Sequence, residues 1–131
     1  MGIGNRSQDT TPEVLLRAAL RSLGLRYRSN AKSLPGSPDL ILVEYRIAVF
    51  CDGDFWHGRD WATRIEKLRA GWNAEYWVAK IARNRQRDRE VGRLLKLKGW
   101  RVVRVWESDV RIAPDRVARK ILTIASKSAR R

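Results

Sequence analysis

Apolar residues form two short continuous runs in the first half of the chain, at residues 40–43 and 47–50. Runs of this length between turn-forming residues are typical of buried strands, most simply of a hairpin. Antiparallel pairing brings the start of the first strand beside the end of the second. Because Asp39 precedes the first run and Cys51 and Asp52 follow the second, the pattern predicts that these residues share one edge of a sheet.

A helical pattern precedes these runs. Thr10 and Glu13 have the spacing of a capping box, and the apolar stripe that follows ends at Gly24. Residues 25–29 then predict a short strand. The glycine and two prolines within residues 30–38 predict a loop that delivers Asp39.

The second half of the chain alternates helical and strand patterns. Residues 53–71 predict a loop with a short helix over 65–68, and residues 73–98 predict a long helix rich in Arg and Lys. Residues 100–106 alternate and are β-branched, which predicts a strand, and Pro114 opens a last helix. The order helix, three strands, helix, strand, helix predicts an α/β domain with a mixed central sheet flanked by helices.

Composition narrows the class of partner. The 131 residues predict a single domain, 1–131, with a short arm at 1–9 and a basic tail at 127–131. Lys and Arg number 28 against 14 acidic residues, a net charge of +14, which favours nucleic acid as the partner and an acidic membrane surface second. No run approaches the roughly 18 apolar residues of a membrane span. The lone cysteine cannot form an internal disulfide, so we expect a reducing cytoplasm.

Acidic residues and a histidine cluster in the sequence where the two strands end. Asp39, Asp52, Asp54 and His57 would gather at one sheet edge if the hairpin forms. Clustered carboxylates beside a histidine are what a hard metal ion and phosphate chemistry require.

Each of these residues also has a simpler explanation. Asp39 and Asp52 could merely form turns, and a lone histidine such as His57 is more often structural than catalytic. Glu13 on local grounds is an acid at a helix start, and Cys51 is a small buried residue. Together the acids favour a cation site, because grouped carboxylates at one strand edge are costly without a cation.

Aromatic and basic residues add two further open alternatives. Phe55 and Trp56 lie in a glycine-flanked loop and Trp77 near the start of the long helix, and each is either core packing or a wedge against bases. The Arg and Lys residues of residues 80–93 are either a solvated face or phosphate contacts, and the net charge favours phosphate.

A set of motifs resembles one family, the Vsr (very short patch repair) DNA mismatch endonucleases of the PD-(D/E)xK nuclease superfamily. The resemblance runs from about Arg6 to Ser108, and the motifs are specific as a set. The matching segments are RSQDTTPE at 6–13, LPGSPD at 34–39, FCDGDFWHG at 50–58, YWVAKIARN at 76–84, RDR at 87–89, GWRV at 99–102 and VWE at 105–107.

The resemblance implies a restriction-endonuclease-like fold and a set of catalytic roles. Asp39 would be the main metal ligand, and the backbone carbonyl of Cys51 a second. His57 would lie near the scissile phosphate as an acid or charge stabiliser, and Glu13 would orient water around the metal. The reaction would be Mg²⁺-dependent hydrolysis of one strand 5′ to the mismatched thymine, leaving a 5′-phosphate, with Mn²⁺ as an alternative ion.

The resemblance also implies a DNA-binding surface. Phe55, Trp56 and Trp77 correspond to the aromatic trio that wedges into the duplex beside a T:G mismatch. The long helix would add further DNA contacts. Its predicted contact residues are Lys80, Arg83, Asn84 and Arg87.

The chain departs from the family pattern in three places. Asp52 stands where relatives often carry a histidine regarded as the general base, so the base is not assigned, and Asp52 is an alternative metal ligand. Where relatives hold a structural zinc, this chain has Asp54, Gly58 and Ser108, so we expect no zinc and a loop 58–71 held by packing, through Trp61 and Leu68. The family's basic arm before residue 6 is almost absent, so we expect looser target specificity or dependence on a partner.

The favoured interpretation is a metal-dependent endonuclease that nicks DNA at T:G mismatches. One alternative is a Vsr-like nuclease without mismatch preference, associated with restriction or mobile elements. The other is a non-catalytic, structure-specific DNA-binding module. We expect a monomer in the bacterial cytoplasm, associated with the nucleoid, with double-stranded DNA as substrate and with mismatch-repair or methyltransferase-linked partners.

Overall fold

The computed structural model describes residues 10–29, 31–55 and 57–129, with side chains as far as residue 127. Its centre is a four-stranded sheet in the order β1-β2-β3-β4. The first two pairs of neighbours are antiparallel and β3 pairs with β4 in parallel, which confirms the predicted mixed sheet. The strands are β1 Arg28–Ser29, β2 Leu40–Leu42, β3 Ile47–Asp52 and β4 Arg101–Trp106.

Helices cover both faces of this sheet. A single 3₁₀ turn, Val43–Tyr45, joins β2 to β3. The α-helices are α1 Thr11–Ser22, α2 Trp61–Arg69, α3 Ala74–Leu97, α4 Glu107–Ile112 and α5 Pro114–Ala129. No helix in the described part of the chain is both long enough and apolar enough to cross a membrane.

The predicted hairpin is present, and its register sets the position of the site. Leu40 pairs with Val49 and Leu42 with Ile47. Arg46 closes the connection in the left-handed conformation with φ 53°. Asp39, immediately before β2, therefore lies beside the end of β3.

Two apolar cores lie on opposite faces of β2 and β3, because side chains alternate along a strand. On one face the sheet packs against helices α1, α4 and α5, and on the other against α3. Every residue of β3 is buried, which explains its continuous apolar run. The first core contains Leu16, Leu20, Leu40, Leu42, Ile47, Val49, Cys51, Val110, Ala118 and Ile121, and the second Ile41, Ala48, Phe50, Leu95 and Trp100.

Several local predictions need correction. Helix α2 occupies Trp61–Arg69 rather than 65–68, and α4 was not predicted because it is a six-residue helix directly after a strand. The predicted strand at 25–29 is only Arg28–Ser29, which pairs with Ile41 and Leu40 of β2.

The two ends of the chain also differ in detail from the prediction. Thr10 is the N-cap of α1, but its side chain makes no capping hydrogen bond and its Oγ1 is buried without a partner, so the predicted capping box is wrong. At the other end, residues 127–129 continue α5 rather than starting a tail. The predicted arm at 1–9 lies outside the described residues.

Candidate active site

Asp39 is held at the open end of the β2–β3 hairpin. Its backbone N–H donates to the carbonyl of Val49 at 3.0 Å. Its Oδ2 accepts a hydrogen bond from the backbone N–H of Cys51 at 2.7 Å. In an antiparallel pair, the N–H and C=O of one residue point to the same side. The Cys51 carbonyl therefore lies on the same side of β3 as the Asp39 carboxylate.

The turn before Asp39 requires a glycine. Gly36 has φ +75°, and a Cβ atom built there would lie 2.5 Å from Cγ1 of Val91 on α3. Because a larger residue would be strained and would collide with α3, Gly36 lets the turn pack tightly against that helix. The position of Asp39 thus depends on a close contact between its turn and α3.

Asp52, the last residue of β3, forms an ion pair with Arg104 of β4. Nη1 of Arg104 lies 3.2 Å from Oδ1 and 3.0 Å from Oδ2 of the Asp52 carboxylate. Asp52 is only 4% exposed, and the Arg104 guanidinium also lies 4.2 Å from the ring centroid of Phe50. A carboxylate this buried requires a charged partner, and Arg104 supplies it.

His57 forms a hydrogen bond with Asp88 of α3. Its Nδ1 lies 2.7 Å from Oδ2 of Asp88 and 3.8 Å from Oδ1 of Asp52. An ionised carboxylate only accepts hydrogen bonds. Nδ1 therefore carries the hydrogen and donates the hydrogen bond to Asp88. The bond fixes the orientation of the imidazole and engages Nδ1 rather than Nε2.

Burial and neighbouring charges act against each other on the pKa values of Asp52 and His57. Burial raises the pKa of Asp52 above its ordinary value and outweighs the lowering by His57 and Arg104. Burial alone would lower the pKa of His57, but the bond to Asp88 and the charges of Asp52 and Asp88 raise it above its ordinary value. A raised pKa keeps more of the imidazole protonated near neutral pH.

Two sets of donors at this end of the sheet could be considered for a metal ion. Asp52, His57 and Asp88 have ligand atoms within 4.8 Å of one another, the one such group among the residues that the structure describes. The Asp39 carboxylate and the Cys51 carbonyl form the second set and offer only oxygen. Oxygen donors suit Mg²⁺, which keeps several of its waters when bound by one or two carboxylates.

Asp54 belongs to a different network, which we call the loop anchor: Asp54, Arg59, Ser108 and Asp109. Oγ and N–H of Ser108 donate to the Asp54 carboxylate at 2.6 and 3.2 Å. Nη1 of Arg59 lies 3.1 Å from both Asp54 and Asp109 and donates to Oγ of Ser108 at 2.9 Å. These bonds tie the segment after β3 to the start of α4.

The loop anchor stands where the resemblance placed a zinc in related proteins. Burial opposes ionisation of Asp54, but the bonds from Ser108 and Arg59 lower its pKa below the ordinary value. The segment beyond it was predicted to be held by packing through Trp61 and Leu68, and both are half-buried in α2. The structure adds a polar tie that the sequence did not predict.

Aromatic side chains gather beside this loop. Phe55 and Trp77 make an edge contact with centroids 6.0 Å apart, and Tyr76 lies 4.9 Å from Trp77. The Arg64 guanidinium lies 5.5 Å from the Phe55 ring. Trp56, the third member of the predicted wedge, lies outside the described residues.

The remaining predicted residues fall on two helices. Glu13 is buried in the first turn of α1. The predicted DNA contacts are all on α3, where Lys80 and Asn84 are half-buried and Arg83 and Arg87 are exposed.

Two residues of the site have no assigned role in the sequence interpretation. Arg104 is a charged residue among the valines of β4, which indicates that its side chain has a polar partner when it packs. Asp88 lies within the matching segment at 87–89, but no sequence pattern pairs it with His57. Only the packing of α3 against the sheet brings it to His57.

The fold is a mixed sheet flanked by helices, and a histidine lies among carboxylates at the end of its central strands. These two features define the class of the protein, a nuclease-like α/β domain. The family model for the DNA mismatch endonuclease Vsr matches residues 3–63. The chain is 49% identical over 106 residues to the type II nicking enzyme V.NmeDIP of Neisseria meningitidis serogroup C, covering 81% of this chain and 70% of that protein.

Two further relatives agree with this match. The type II nicking enzyme V.HpaIIP of Haemophilus parainfluenzae is 40% identical over 92% of this chain and 84% of its own length. The DNA mismatch endonuclease Vsr of Escherichia coli is 39% identical over 80% of this chain and 65% of its own length. The chain belongs to the Vsr family of DNA endonucleases, whose fold is restriction-endonuclease-like.

Proposed function

We propose that the chain is a metal-dependent endonuclease that nicks one DNA strand 5′ to the thymine of a T:G mismatch. The observation that carries this proposal is the position of two reactive groups at one end of β3. The Asp39 carboxylate accepts a hydrogen bond from the backbone N–H of Cys51. Asp52 follows Cys51 in β3, and its Oδ1 lies 3.8 Å from Nδ1 of His57. A carboxylate and a histidine at one strand end meet the needs of phosphodiester hydrolysis.

The reaction adds a water oxygen to phosphorus and breaks the bond to O3′, leaving a 3′-hydroxyl and a 5′-phosphate. Asp39 and the Cys51 carbonyl would hold Mg²⁺, or alternatively Mn²⁺. The ion would neutralise charge that develops on the phosphate oxygens. Glu13, buried at the start of α1, would orient water.

His57 would act as an acid or as a charge stabiliser near the scissile phosphate. Its bond to Asp88 engages Nδ1, so Nε2 would meet the phosphate, and its raised pKa favours the protonated ring. A protonated imidazole can donate to the departing oxygen or stabilise negative charge on the phosphate.

Mismatch recognition would come from the aromatic group beside the loop. Phe55 and Trp77 contact each other edge to face, and Trp56 is the third residue of the proposed wedge. Inserting an aromatic side chain between bases requires unstacking them. This costs less free energy where pairing is already weak, as at a mismatch.

The basic face of α3 would hold the phosphate backbone. Arg83 and Arg87 are exposed one turn apart on this helix, in a chain with a net charge of +14. Phosphate contacts fix position and supply affinity without reading sequence. Lys80 and Asn84 are the other two predicted contacts.

The names of the relatives favour nicking as the reaction, and one of them is named for mismatches. A nuclease without mismatch preference is the second candidate, because five of the relatives are named only as nicking enzymes. A link to mismatch repair or to a DNA methyltransferase is part of the first candidate.

The test uses two duplexes that differ in one base, T:G and T:A, with each strand labelled separately. We expect Mg²⁺-dependent cleavage of the thymine strand of T:G, on its 5′ side, with little cleavage of T:A. Equal cleavage of both duplexes would favour the second candidate. Binding without cleavage in Mg²⁺ and in Mn²⁺ would contradict both.

A further inference from the structure

Arg104 lies at the centre of the cluster that surrounds His57. Its Nη1 contacts both oxygens of Asp52 and lies 3.4 Å from Oδ1 of Asp88. Its Nη2 lies 3.4 Å from the backbone carbonyl of Asp88. One guanidinium therefore contacts β3 and α3 at the same time, from its own position on β4.

Both carboxylates that Arg104 contacts also face the imidazole. Nδ1 of His57 lies 2.7 Å from Asp88 and 3.8 Å from Asp52. The positive charges of Arg104 and of protonated His57 balance the two negative charges. Without Arg104, two carboxylates would repel each other beside a single imidazole, and either could turn away.

The same contacts bear on metal binding. Asp52, His57 and Asp88 form a group with metal-ligand spacing, but the Arg104 guanidinium already contacts both of its carboxylates. A divalent cation entering this group would have to displace Arg104 and would then lie beside a second positive charge.

We propose that Arg104 is the positioning residue for His57, and that its guanidinium takes the cation position of the Asp52–His57–Asp88 group. Metal binding is then confined to the side of Asp39 and Cys51. The catalytic part of this inference rests on the proposed function; the part about cation occupancy does not.

The chain makes the test simple because His57 is its only histidine. Nitrogen NMR of the imidazole therefore reports on one residue. The variants are Arg104→Met, Arg104→Lys, Asp52→Asn and the double variant Asp52→Asn/Arg104→Met. The matched control is Arg101→Met, on the same strand, where the arginine instead donates to the carbonyl of Ile124 at 3.2 Å.

In Arg104→Met we expect the NMR signal of the hydrogen-bonded Nδ1–H of His57 to shift or broaden. Single-turnover nicking should slow by roughly 10- to 100-fold, and DNA affinity should stay unchanged. Arg104→Lys should recover part of the rate, because it restores the charge but not the two-sided contact. The double variant should be faster than Arg104→Met, because the uncompensated Asp52 charge is gone. Arg101→Met should leave the His57 signal unchanged.

Mn²⁺ titration of the protein without DNA tests the occupancy directly. Asp52→Asn should bind Mn²⁺ with the affinity of wild type. Arg104→Met should bind Mn²⁺ more tightly than wild type or bind a second Mn²⁺ ion. A marked loss of Mn²⁺ affinity in Asp52→Asn would overturn the proposal, since Asp52 would then be a ligand.

The other results that would overturn it are equally specific. An unchanged His57 signal in Arg104→Met would remove the positioning role. Weaker DNA binding with an unchanged rate would make Arg104 a phosphate contact instead. If Arg104→Met does not fold, Arg104→Lys and Asp52→Asn still give the NMR and Mn²⁺ readouts. If wild type nicks no duplex, the proposed function is wrong, and these two readouts decide the role of Arg104 by themselves.

Discussion

Asp52 and Asp54 are separated by one residue, carry the same carboxylate, and belong to different networks. Asp52 is buried at the end of β3, where it pairs with Arg104 and faces His57. Asp54 is half-buried in the loop anchor, where Ser108 and Arg59 hold it. The first network surrounds a histidine, whereas the second ties a loop to a helix.

The pKa values of the two aspartates differ in the same way. Burial raises the pKa of Asp52, while the bonds from Ser108 and Arg59 lower that of Asp54 despite burial. In the sequence both acids are equal candidates for a cation site. The partners of each aspartate, rather than its residue type or its place in a motif, separate the cluster around His57 from the loop anchor.

Removing His57 should have the largest effect on activity. We expect His57→Ala to slow single-turnover nicking by about 10²- to 10⁴-fold, the contribution typical of a positioned acid or base. DNA affinity should stay close to wild type, because the role proposed for the imidazole is at the reacting phosphate and not in binding the duplex. Gel-resolved product formation with excess enzyme measures this, and a loss of less than about tenfold would remove His57 from the chemistry.

Removing the charge beside His57 should have a smaller effect and a characteristic pH dependence. Asp88→Asn should slow nicking by roughly 10- to 100-fold, the range for losing a hydrogen bond between charged groups. Asp88 raises the pKa of His57, so its removal lowers that pKa. A protonated His57 is lost as pH rises through its pKa, so the alkaline limb of the rate profile should move to lower pH. An alkaline limb that moves upward or stays in place would contradict the assignment.

The aromatic group beside the loop anchor should affect discrimination rather than chemistry. We expect Trp77→Ala to weaken binding of the T:G duplex by about tenfold more than binding of T:A, in line with one lost stacking contact. Trp72→Ala is a matched control, since Trp72 is 84% exposed just before α3 and has no assigned role. Fluorescence anisotropy with both duplexes measures the two affinities. Equal losses on T:G and T:A would make Trp77 a packing residue.

The loop anchor should contribute to stability and not to the rate. Ser108→Ala removes one hydroxyl from this network and should lower the free energy of unfolding by about 1 kcal/mol. For a domain of this size that is a fall in Tm of a few degrees. Ser126→Ala, on the exposed side of α5, is the control. A rate loss in Ser108→Ala comparable to that in Asp88→Asn would contradict the separation of the two networks.

Much of the fold could be predicted because it depends on local patterns. The continuous apolar runs identify β2 and β3, and their antiparallel pairing brings Asp39 to Cys51. Helix α2 was underestimated, and it contains no fully buried residue, so its apolar periodicity is weak. Helix α4 has too few residues for a periodic pattern to appear.

The contacts of the site depend on distant residues and were harder to predict. His57 and Asp88 are 31 residues apart, and Asp52 and Arg104 are 52 apart. Only the packing of α3 and β4 against β3 joins them. The loop anchor has the same origin, since Arg59 and Ser108 come from separate segments. The motif resemblance named the candidate residues, but it could not give their partners.

The central claim is that Asp39 supports metal-dependent nicking at a T:G mismatch. The most direct measurement is single-turnover cleavage of the T:G duplex by wild type and by Asp39→Asn, across a Mg²⁺ titration, with DNA affinity measured in parallel. The amide side chain of this variant keeps an oxygen that can accept from the Cys51 N–H but loses the charge that would hold the ion. We expect nicking to disappear at every Mg²⁺ concentration while DNA binding is retained. Mg²⁺-dependent nicking by Asp39→Asn at the wild-type rate would contradict it.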